Sequence, residues 1–134
     1  MSFKGLDVPV RDLMRPGVVT IGERASLEQA RRALLSHGVH AVLVVGAGGV
    51  SRGWVMARGV LARAGDDPAL VTAGQVVCEP VVRISPMATG AEAARMLVEH
   101  RVSRLIVART DAEPPEGVIG ELDLLAATGE PRYP

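Results

Sequence analysis

The chain has 134 residues, 48% of them hydrophobic and 22% charged, which is the size and apolar content of a folded domain and excludes a disordered one. Fifteen Lys and Arg balance fifteen Asp and Glu, removing the broad positive footprint of a protein that tracks nucleic acid or an anionic bilayer. A lone cysteine, Cys78, excludes an internal disulfide and a Cys-based zinc site, and three aromatics (Phe3, Trp54, Tyr133) are too few for base stacking.

The N-terminal residues carry Lys4, Asp7, Arg11 and Asp12, so no uninterrupted apolar leader begins the chain, and a cytoplasmic location is the expectation. Val18 to Ile21 is a short β-branched run of strand type. Ser26 with Gln29 three residues on forms a capping box, and Leu27, Ala30, Ala33 and Leu34 recur at helical spacing behind it. Gly38 suits the helix end. Ala41 to Val45 is the longest strongly apolar run; its five residues suit a buried strand and fall far short of the roughly 20 that span a bilayer. The glycine-rich loop 46 to 53 turns the chain into a strand at Trp54 to Met56, and a short helix at about 58 to 64 ends at Gly65.

The same order then returns. At an offset of 63, residues 81 to 108 overlie 18 to 45 with ten of 28 positions identical, among them Arg32/Arg95 and His37/His100. Thr89 and Glu92 repeat the capping box, 104 to 108 repeats the apolar run, and at an offset of 64 Gly117, Ile119 and Leu125 repeat Gly53, Val55 and Leu61. A helix at 122 to 127 closes the second copy at Gly129. The fold class read from this pattern is α/β (α+β), with two β-α-β-β-α units at 8–65 and 70–129 joined by a linker at 66–69. A unit of about 60 residues is marginal alone, so the two copies are expected to pack around a pseudo-twofold axis and leave clefts between them.

Strand, capped helix, G-V-H-x-x-x-V strand, loop, then G-x-[IV]-x-x-x-[DN]-L-L, preceded by V-R-D-L-M at 10 to 14, resembles the cystathionine-β-synthase (CBS) domain in tandem, from about Val8 to Gly129. The resemblance implies a regulatory module, not an enzyme, that binds AMP, ADP, ATP or S-adenosylmethionine, and that forms homodimers. In the family the closing strand reads G-x-[IV]-[ST]-x-x-D, with the Asp accepting the ribose hydroxyls. Carried over, Asp123 keeps that acceptor while Gly120 replaces the hydroxyl residue; in the first copy Met56 and Gly59 replace both. The family's phosphate-contacting His-Arg pair is split here between His40 of the first copy and Arg104 of the second. The resemblance places adenine against Val82, Ile84, Val102 and Ile119. Arg83 stands where the first copy has the small polar Thr20, either to clasp a phosphate or to plug the cleft.

Plainer roles stand beside these. Asp123 is also a candidate N-cap of the last helix, Arg104 a snorkelling strand residue, Trp54 a packing residue, and Met14, Met56, Met87 and Met96 core filler. No nucleophile has a base at a suitable spacing, no P-loop occurs, and three scattered histidines make no metal set. The expected function is therefore a ligand-sensing module that signals to an unidentified regulated protein, with no required cofactor and no nucleic-acid or membrane partner. The alternative is a degenerate pair acting as a dimerisation or interaction scaffold.

Overall fold

The apolar runs and caps become strands and helices in the order expected of them. A computed structural model describes residues 5–129. Its elements fall into two compact units, one made of Val19–Val81 and the other of residues up to Val18 together with those from Val82 onward.

In the Val19–Val81 unit, β2 (Thr20–Gly22) runs parallel to β3 (Ala41–Val45), which pairs antiparallel with β4 (Ser51–Met56). α1 (Leu27–His37) crosses between the parallel strands and α2 (Ala57–Leu61) follows β4. The α1 capping box is complete: Ser26 Oγ accepts the Gln29 N–H at 3.1 Å and Gln29 Oε1 accepts the Ser26 N–H at 2.8 Å. Val42, Val44 and Val55 from the sheet meet Leu27, Ala30 and Leu34 from α1 in one core. α2 stops at Leu61, short of the expected 64, and residues 62–65 form turns.

The other unit repeats the plan. β5 (Arg83–Ile84) is parallel to β6 (Arg104–Val107), which pairs antiparallel with β7 (Gly117–Gly120). α3 (Gly90–His100) crosses between β5 and β6, capped by Thr89 Oγ1, which accepts the Glu92 N–H at 3.2 Å, and α4 (Glu121–Ala127) follows β7. Ile84, Leu97, Leu105, Ile119 and Leu124 form its core. Trp54 is buried, as a packing residue should be, but Met87 is 60% exposed and is not the core filler expected of it.

Each unit takes in a segment that precedes the other sequence repeat. β1 (Arg15–Pro16) pairs antiparallel with β7, and the turn of 3₁₀ helix at Val10–Asp12 is held by Val10 N–H donating to Ala88 O at 2.7 Å. In the Val19–Val81 unit the 3₁₀ turn at Ala73–Val76 is held in the corresponding way, Ala73 N–H donating to Ala25 O at 2.8 Å, while Cys78 N–H donates to Trp54 O. Residues 10–16 and 73–79 are therefore equivalent lead-in segments at the same offset of 63. The compact units are cut differently from the sequence repeats: each body carries the lead-in that precedes the other body in the chain.

Candidate functional site

β7 runs into α4 without a break, so the end of one and the first turn of the other share a corner with the start of β6. Arg104 pairs with Gly120 across β6 and β7, and the Glu121 N–H donates to Ser103 O at 3.2 Å, which ties the corner shut. Gly120 is the N-cap of α4 and Asp123 its third helical residue, which corrects the N-cap reading of Asp123. The carboxylate reaches back: Oδ2 accepts the Gly120 N–H at 2.8 Å, satisfying one of the donors that a helix start leaves unpaired.

The other carboxylate oxygen is engaged from the lead-in strand. Arg15 Nε donates to Asp123 Oδ1 at 3.1 Å; the Asp123 side chain is 16% exposed and that of Arg15 67%. Arg104, at the start of β6, donates from Nε to Ser103 Oγ at 3.2 Å. The carboxylate thus carries one arginine, Arg15, while Arg104 stands opposite Gly120 across the strand pair. Arg15 was missed by sequence reasoning because its contact depends on which body the lead-in joins, and nothing local in V-R-D-L-M-R encodes that.

The remaining sequence-predicted residues divide. Ile84, Val102 and Ile119 are buried in the core of the same unit and Val82 packs against it half-buried, so these residues support the corner from beneath. Arg83 is engaged at the far end of β6: its guanidinium donates to Ala108 O at 3.0 Å, Arg109 O at 3.1 Å and Asp111 Oδ1 at 2.9 Å. That anchors the loop after β6, roughly 13 Å of strand from Arg104. Thr20 and His40 belong to the Val19–Val81 unit, Thr20 exposed at the start of β2 and His40 exposed just before β3.

The equivalent corner of that unit is built otherwise. Gly59 stands where Asp123 stands, and Cys78 of the lead-in stands where Arg15 does. A Cβ on Gly59 would lie 2.5 Å from Cys78 Sγ and 3.0 Å from Val76 O, so a side chain there has no room. Among the described residues no three His, Cys, Asp or Glu converge to hold a metal ion, and no helix is long and apolar enough to cross a membrane.

Comparison with known proteins agrees with this architecture. The family model of the CBS domain matches residues 10–65 and 73–130. Elongation factor Ts of Rhizobium rhizogenes is 27% identical over 115 residues, covering 85% of this chain but only 37% of that protein. Hypoxic response protein 1 of Mycobacterium tuberculosis is 28% identical over 100 residues, covering 72% of this chain and 70% of that protein. A crystal structure of Hypoxic Response Protein I with two coordinated zinc ions superposes with a TM-score of 0.71 at 26% identity, over 88% of this chain and 97% of that one. The CBS domain of a bacterial CNNM/CorC family Mg2+ transporter, solved in complex with ATP, has a TM-score of 0.79 at 20% identity, over 92% of this chain and 88% of that one.

Proposed function

This chain belongs to the CBS-domain family as a tandem pair, and on that premise we propose that it is a regulatory module which binds one adenosine-containing ligand per chain at the Asp123 corner. The supporting observation is the Asp123 carboxylate itself. It is held on one side by Gly120 N–H and on the other by Arg15. An ionised carboxylate offers about four lone-pair positions, two of which those contacts occupy, so one remains on each oxygen for a pair of vicinal ribose hydroxyls. In this reading Arg104, at the start of β6, meets a phosphate, to which a guanidinium binds in bidentate fashion. A solved relative of the same fold holds ATP, which supports a nucleotide as the ligand class.

The proposal is regulatory and not enzymatic: binding at the corner shifts the packing of the module, and a partner protein reads the shift through a coupling of about 1–3 kcal/mol. Homodimerisation is part of it. Leu35 of α1 and Val98 of α3 occupy matching positions and are 68% and 78% exposed, apolar surface that a second copy would cover. Gly59, with Cys78 against it, favours a competing reading in which the pair is an unliganded scaffold.

Isothermal titration calorimetry of the full chain with AMP, ADP, ATP and S-adenosylmethionine separates the two. Binding of any of them at one site per chain, with thermal stabilisation of about 2.7 kcal/mol at 100 times the dissociation constant, supports the sensor. No heat and no stabilisation with all four leaves the scaffold.

A further inference from the structure

The Asp123 carboxylate is contacted by an arginine, Arg15, that comes from the lead-in and not from the body of the repeat. Arg15 comes in on β1, whose register sets Arg15 opposite Val118 on β7, two residues ahead of Gly120. Its Nε contact to Asp123 uses one of five guanidinium N–H donors, and the side chain stays two-thirds exposed. The corner therefore carries Arg15 on Asp123, with Arg104 paired to Gly120 across the strands and exposed Glu121 as the first residue of α4. A ribose accepted by Asp123 would lie next to the exposed Arg15 side chain that contacts the same carboxylate.

We infer that Arg15 is a specificity-determining residue of the Asp123 corner, which restricts it to anionic adenosine phosphates and discriminates against sulfonium nucleosides such as S-adenosylmethionine. The inference rests on the proposed adenosyl-ligand reading and narrows its ligand class. AMP, ADP and ATP present negative charge on the 5′ side, which a guanidinium matches through charge-assisted hydrogen bonds. S-adenosylmethionine presents a sulfonium and an ammonium against one carboxylate, a net cation that would face the exposed Arg15 guanidinium. Juxtaposed like charges are how a site rejects the wrong partner. The equivalent pair in the other unit, Cys78 and Gly59, offers neither the cation nor the acceptor.

The test is calorimetry of the full chain and its Arg15→Gln and Arg15→Lys variants with ATP and S-adenosylmethionine, each variant first checked for a native thermal transition. The expected result is that the wild type binds ATP at least about tenfold more tightly than S-adenosylmethionine. Arg15→Gln weakens ATP about 10- to 100-fold and narrows that ratio, while Arg15→Lys keeps the preference. A wild type that binds S-adenosylmethionine as tightly as ATP overturns the inference. So does an Arg15→Gln variant that weakens both ligands equally or neither; in each case the adenosyl-ligand reading stands. A wild type that binds neither overturns both.

Discussion

Gly117→Ala is a sharp test of how the lead-in strand is seated. Gly117 opens β7 opposite Pro16, and a Cβ built there would sit 2.7 Å from Met14 Sδ, 3.2 Å from Arg15 C and closer still to the Arg15 carbonyl oxygen. The thioether can swing away, but the carbonyl oxygen belongs to the backbone of β1 and moves only with it. To restore ordinary contact the strand has to retreat by roughly 1 Å, an overpacking cost of about 1–3 kcal/mol. The Gly17 N–H to Glu116 O bond at 3.0 Å would loosen with it, adding about 0.5–1.5 kcal/mol. The loss expected in urea unfolding without ligand is therefore about 2–4 kcal/mol, with the m-value unchanged. Gly65→Ala is the control: no atom lies within 4 Å of its Cβ position and its φ is not in the left-handed region, so it should be neutral or stabilise by up to about 1 kcal/mol. Because the displaced residue is Arg15, Gly117→Ala should also weaken nucleotide binding without touching the ligand. A loss below about 0.5 kcal/mol, the ordinary scatter of surface substitutions, would refute this seating of the lead-in.

Two further outcomes follow from local chemistry. The residue after each long helix is left-handed, Gly38 at φ 60° and Arg101 at φ 56°, so Arg101→Gly should raise stability by about 0.5–1 kcal/mol and Gly38→Ala lower it by about 1 kcal/mol, measured by thermal unfolding; equal or reversed signs would contradict this. Glu28 is held down to a pKa of about 2, first by its hydrogen bonds to Arg31 and then by the Arg31 and Arg32 charges. The folded value lies below the unfolded one of about 4.3, so the contribution is complete above the unfolded value and is lost as pH falls toward 2. A carboxyl NMR titration should show that midpoint, and Arg31→Gln should raise it.

The β-α-β-β-α order was legible because it is written locally. Five apolar residues from Ala41 to Val45 make a buried strand wherever they are placed, and Ser26 with Gln29 starts a helix with its own side chains. The place of Asp123 in the helix was not legible: with Gly120 beginning the cap, the carboxylate falls three residues in and reaches back. Arg83 was read as clasping a phosphate or plugging a cleft; its guanidinium donates to the carbonyls of Ala108 and Arg109, partners that the local sequence does not announce. The lead-in exchange was illegible for a different reason. Residues 10–16 and 73–79 fit either body equally by pattern, and which body they join is a property of chain path.

That exchange is what makes the two corners unequal. Each corner is assembled from one residue of a body and one of a lead-in, Asp123 with Arg15 in one unit and Gly59 with Cys78 in the other, so a substitution in a lead-in is felt in a body distant from it in sequence. The pairs are also matched physically. A carboxylate in a largely desolvated corner needs donors, and Arg15 and Gly120 supply them; a glycine lets a thiol and a carbonyl approach to where a side chain would have been. Replacing one member alone leaves either an under-compensated carboxylate or a clash, which is why the proposed ligand site falls at one corner and not the other.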